Sequence, residues 1–166
     1  MTRTLVLAAV AAIAALLQTT WFAAWSIGGA RPDLVLIVLT YLSYQAGTQH
    51  GQVSAFAVGM FEDVLGLAPL GFHAVVRLAH GAALGFTRGA VQPHPIFTPM
   101  LLVTLAMVVR LLATVLLAAV AGIEGAGGRV FSVVTLTELG LTAAAAPIVF
   151  ALLRPVARRF EKRGAW

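Results

Sequence analysis

The chain has 166 residues, 60% of them from the set AVILMFWYC, with 16 Gly in addition and only 10% charged. Soluble domains carry about 25% charged residues and about 45–50% apolar ones with Gly included, so a soluble enzyme domain is excluded first. Roughly 100 apolar residues suffice for about five or six spans of around 20 residues. The absence of Cys removes disulfides, thiolate metal sites and cysteine nucleophiles.

In chain order, the first apolar stretch covers about 4–27, preceded by Arg3. It is long for a signal-peptide core and lacks a clean A-x-A cleavage site, so an uncleaved first span is expected. Arg31-Pro32-Asp33 opens a second span, about 34–46, and Gly47 to Gly51 forms a polar break. The third covers about 52–67 and ends at the Ala68-Pro69-Leu70-Gly71 turn. The fourth covers about 72–86. After Gln92-Pro93-His94-Pro95 comes the fifth, about 96–121, and after the loop Gly122 to Arg129 the sixth, about 130–153. Residues 154–166 form a basic tail. The expected fold is therefore all-α, a polytopic transmembrane bundle of about six spans. Five full spans and one partial element is the rival count, because several stretches are short.

The sequence pI near 11.1 does not indicate nucleic-acid binding, because the only dense cationic cluster is the tail. With six spans, Arg3, Arg88, Arg154, Arg158, Arg159, Lys162 and Arg163 share one side, against Arg31 and Arg129 on the other. The positive-inside rule then puts both termini in the cytoplasm. The tail, which mixes cations with Val156 and Phe160, reads as an anchor at the anionic inner leaflet or as a cytoplasmic protein contact.

Ionisable residues inside apolar segments cost at least about 2.5–3.5 kcal/mol each at the membrane centre and normally face the bundle and pair. Glu62, Asp63, Arg77, Arg110 and Glu138 all fall there, and Asp33 opens the second span. At about 1.5 Å per residue, Asp63 lies roughly 6 Å, Arg77 roughly 9 Å, Glu138 roughly 10–12 Å and Arg110 roughly 16 Å inside the outer ends of their spans. Similar depth predicts one buried ionic network. Three roles stay open for it: holding the bundle together, lining a substrate or proton path, or docking another protein's transmembrane helix.

Small residues recur on two helical faces. Gly47, Gly51, Ala55 and Gly59 lead to Asp63, and His73 and Arg77 lead to Gly81 and Gly85. Such rows let helices approach closely and mark a helix-packing or partner face. Thr135, Glu138 and Thr142 give the sixth span a polar stripe. His73 and His80 have no acidic helix neighbour at ligand spacing, so no metal site is assigned. HExxH, Gly-x-Ser-x-Gly and Walker A patterns are all lacking, so neither catalytic residues nor a cofactor are assigned.

The stretch from Gln18 to Gly71 resembles the bacterial rod shape-determining protein MreD family. The resemblance is carried by Leu17-Gln18, by Arg31-Pro32-Asp33-Leu34, and by the Gly47, Gly51 and Gly59 ladder. Phe61-Glu62-Asp63-Val64-Leu65-Gly66 and Pro69-Leu70-Gly71-Phe72-His73-Ala74 complete it, with Asp63 matching the family's acidic position. It implies a non-enzymatic inner-membrane member of the lateral wall-elongation complex. The implied partners are an MreC-like single-span protein, the MreB filament, and RodA with its transpeptidase. The implied fold is like that of the six-helix substrate-binding components of vitamin transporters. A small-molecule-binding transporter component is the alternative function.

Overall fold

The computed structural model describes residues 13–14, 29–66, 69–122 and 132–161, with side chains as far as 155. The expected first span at 4–27 thus lies, but for two residues, outside the described residues, as do the side chains of most of the tail. The fold is all-α: every regular element among the described residues is a helix, and no β-strand occurs there. Five helices are described in full: α1 (Leu34–Ala46), α2 (Thr48–Leu65), α3 (Phe72–Gly85), α4 (Phe97–Val120) and α5 (Val133–Glu161).

Helix α1 is apolar on every side, and the residues from Val35 to Ser43 are all buried. A helix hydrophobic all round belongs in a core. It is the hub, packed against α2, α3, α4 and α5, while α2 meets α3, α3 meets α4 and α4 meets α5. The Tyr41 ring meets Phe150 edge-on at 5.0 Å, fastening α1 to α5.

Among the described residues, two helices are long and apolar enough to cross a membrane: α4, with mean hydropathy 2.5, and Val133–Pro155 of α5, with mean hydropathy 1.8. Helix α4 turns Leu101, Leu105, Leu112 and Leu116 outward, each more than a third exposed. That apolar outer face would be unusual on a water-soluble protein of this size.

At 13, 18 and 14 residues, α1, α2 and α3 are about 20–27 Å long, less than a hydrocarbon core of about 30 Å. Helix α2 begins at Thr48, so the polar residues 48–50, expected as a break, form its first turn. The break is confined to Gly47, which turns the chain at φ +84°, a left-handed conformation open to glycine. Arg88 donates from Nη1 to the Ala46 carbonyl at 3.0 Å, satisfying the end of α1. Helix α5 runs through Pro147 and Pro155 into the basic tail.

Helices α2 and α3 form the closest pair in the fold. A Cβ on Gly81 would stand 2.5 Å from the Gly51 carbonyl oxygen, and one on Gly59 would stand 2.6 Å from the Ala74 Cα. One on Gly85 would collide with the Thr48 backbone. Gly51 is closed off on its other side by the Ser43 side chain of α1. The glycine rows are therefore used up in the α2–α3 contact, with Gly47 as the turn beside Arg88.

Candidate functional site

Helices that stop short leave unpaired amides and carbonyls where a bilayer offers no water to satisfy them. At one end of the bundle, where α1 begins, α2 ends and α3 begins, charged side chains take over that task. Asp33 is the N-cap of α1, and its Oδ1 accepts from the Leu36 amide at 2.8 Å. The Asp33 amide donates to Thr142 Oγ1 at 3.1 Å, and that hydroxyl donates to the Glu138 carbonyl at 2.6 Å. The start of α1 is thereby tied to α5.

The second carboxylate oxygen of Asp33 is the centre of the cluster. Arg110 Nη1 donates to it and also to Glu138 Oε1 at 2.9 Å. Arg77 reaches it at 3.5 Å from both terminal nitrogens, a weak contact. Its strong bond is to Glu62, where Nε and Nη2 meet the two carboxylate oxygens at 2.8 Å each. This bidentate geometry is the strong form of the guanidinium–carboxylate pair. Asp33 is 2% exposed and Arg77 5%, whereas the side chains of Glu62, Glu138 and Arg110 keep 16%, 22% and 26% of their surfaces. Five residues from α1, α2, α3, α4 and α5 thus make one connected set.

Asp63 stands apart from this set. Its Oδ2 accepts from the Gly71 and Ala74 amides at 2.9 and 3.1 Å, and its Oδ1 from the His73 amide at 2.9 Å and the His73 ring at 2.8 Å. It caps α3 from the last turn of α2, because Gly71 at the N-cap position has no side chain to do so. Consecutive helical residues point about 100° apart, so Glu62 faces Arg77 while Asp63 faces the incoming backbone. The shared depth of the acids therefore does not translate into one shared set of contacts.

His80 is fully buried and meets Thr40 Oγ1 at 3.0 Å through Nε2. Thr40 gives its own proton to the Leu36 carbonyl at 2.7 Å, so His80 Nε2 is the donor. This pair links α1 to α3, and the described His, Asp and Glu side chains form no group of three suited to a metal ion.

Beside the cluster lies a cavity of about 350 Å³. Asp33, Glu62, Arg77 and Arg110 line it together with His73 and Thr114, and Leu65, Phe72 and Val76 add apolar lining. The apolar lining and Thr114 escape sequence reasoning. The available signal is that Thr114 follows Arg110 by one helical turn and so shares its face.

A family model, rod shape-determining protein MreD, matches residues 1–156, nearly the whole chain. The chain belongs to the MreD family. Its role is therefore in rod shape determination, in a family of membrane proteins not known for enzymatic activity. The two long apolar helices of this MreD-family chain fit membrane insertion. No curated protein and no solved structure matches the chain.

Proposed function

We propose that the chain is a non-enzymatic inner-membrane scaffold of the lateral wall-elongation complex. It holds an MreC-like single-span protein and connects to the MreB filament and to RodA with its transpeptidase. The observation that carries this reading is the commitment of the ionic cluster to structure. Asp33, Glu62, Arg77, Arg110 and Glu138 spend their bonds on one another across five helices, as expected of a rigid block that presents its outer faces to partners. The bundle has six spans, is built like the vitamin-transporter components and has both termini in the cytoplasm, with the ionic cluster in the outer half.

Depletion in a rod-shaped cell should give round cells, and the tagged protein should co-purify in mild detergent with a single-span periplasmic protein. Unchanged shape with no partner recovered would sink the proposal. For the orientation, Ala165→Cys in this cysteine-free chain should react with an impermeant maleimide only after the membrane is opened. Reaction in intact spheroplasts would reverse the topology. A second reading, a small-molecule-binding transport component, is favoured by the cavity of about 350 Å³ beside the cluster. A thermal-shift screen with vitamins and small anions tests it, and fold alone does not decide between the two.

A further inference from the structure

The hydrogen bonds of Arg110 are unevenly placed. All three of its contacts, to Asp33 Oδ2, Glu138 Oε1 and Met107 Sδ, are made by Nη1. Nε and Nη2, the other donors of the guanidinium, have no partner among the described residues. One turn further along α4, Thr114 is in the same state. Thr40, Thr137 and Thr142 each donate to the carbonyl four residues earlier, a common outlet for a helical hydroxyl. The Thr114 hydroxyl has no hydrogen-bond partner among the described residues. Within that same set, the fully enclosed polar atoms without a partner are Ser43 Oγ and His80 Nδ1, so the spare donors of Arg110 and Thr114 keep open surface. Both residues line the cavity. Unmet donors at membrane depth are costly, and a ligand that accepts from them removes that cost.

Acceptor capacity in the cavity comes from α2. Each Glu62 oxygen takes one N–H from Arg77 and retains a second acceptor position. The charged lining is two carboxylates, Asp33 and Glu62, and two guanidiniums, Arg77 and Arg110, so an ion of either sign meets like charges. A neutral group with an acceptor and a donor on neighbouring atoms meets none. We propose that this cavity binds a primary carboxamide carried on a short apolar group. The carboxamide oxygen, with two lone pairs, accepts from the free edge of Arg110 and from Thr114 Oγ1, and its NH2 donates to Glu62. The apolar group lies against Leu65, Phe72 and Val76, which supply the apolar lining. The same chemistry comes either from a free small amide or from an Asn or Gln side chain of a membrane partner. The proposal stands whether or not the chain is a scaffold, since it rests on the unused donors of α4 and the lining of the cavity.

The test uses the full chain in lipid nanodiscs at constant ionic strength, with n-butyramide as the probe and binding read by saturation-transfer NMR against empty nanodiscs. Three controls each lack one feature: butyrate is anionic, n-butylammonium has no acceptor, and N,N-dimethylbutyramide has no N–H. Butyramide should bind in the millimolar range and more tightly than any of the three. Thr114→Val removes a hydroxyl that no contact of the fold uses, and it should weaken butyramide binding about twofold to tenfold. Arg110→Lys keeps a cation for Asp33 and Glu138 but removes the Nε–Nη2 edge, and it should weaken binding about tenfold or more. No butyramide binding, equal or tighter binding of any control, or unchanged affinity in Thr114→Val would overturn the proposal. A photo-crosslinking residue at position 65 in cells then separates the sources. A cross-linked segment with Asn or Gln within one helical turn, displaced by butyramide, identifies a partner side chain. Butyramide binding in nanodiscs without any cross-linked segment identifies a free amide, and a cross-linked segment that lacks Asn and Gln and resists displacement counts against the carboxamide site.

Discussion

Asp33→Ala is the most direct perturbation of the cluster, because one small side chain serves three helices. The substitution removes the cap on the Leu36 amide, a loss of about 1 kcal/mol. It also removes the carboxylate that accepts from Arg110 and Arg77 at a site 2% exposed. Breaking a buried ion pair by deleting one partner costs about 3–5 kcal/mol. Two features reduce that figure here: Arg77 keeps its bidentate bond to Glu62, and Arg110 keeps Glu138. A total loss of about 3 kcal/mol is expected. Asp33→Asn retains an oxygen for the cap and for the guanidiniums and leaves two charges of each sign, so its loss should be about 1–2 kcal/mol. Equilibrium unfolding in mixed micelles with increasing SDS measures both. If Asp33→Ala falls within about 0.5 kcal/mol of the parent, as an unremarkable surface change would, Asp33 does not hold the bundle and the reasoning fails.

Three further expectations concern separate parts of the fold. Asp63→Ala strips the amides of Gly71, His73 and Ala74 of their acceptor and should cost about 2 kcal/mol. Hydrogen exchange should accelerate at residues 71–74 while α4 stays protected, and uniform acceleration across all helices would count against a local cap. Gly81→Leu must drive α2 and α3 apart, since even a Cβ stands 2.5 Å from the Gly51 carbonyl, and should lower the yield of folded protein. Leu84→Ile at a fully buried position should cost less than about 1.5 kcal/mol, and equal tolerance of the two would contradict close glycine packing. Leu112→Ala on the outer face of α4, 59% exposed, should change unfolding by no more than about 0.5 kcal/mol. A loss several times larger in the isolated protein would mean that this face is covered within the fold.

Much of the architecture is legible because the bilayer leaves few choices. An apolar run without charges becomes a helix, as α1 does over Leu34–Ala46. The fixed rise per residue predicts that charges in neighbouring spans can meet, and Asp33, Glu62, Arg77, Arg110 and Glu138 are in contact in the structure. Partner choice is not legible from depth. Whether Glu62 or Asp63 meets Arg77 depends on the rotation of the last turn of α2, which follows from how Gly59 and Gly51 seat against α3. The polar residues 48–50 are helical because a single left-handed glycine suffices to turn the chain. The cavity is a remainder left by five helices, and no periodicity in any one of them encodes it.

The central claim is that the charged end of this MreD-family bundle maintains the state that supports rod shape. Rescue of depleted cells by Arg110→Leu tests it most directly, with the parent chain and Leu112→Ala as references at matched membrane levels. Arg110→Leu should leave the cells round while both references restore rods. Full restoration of rods by Arg110→Leu would contradict the claim.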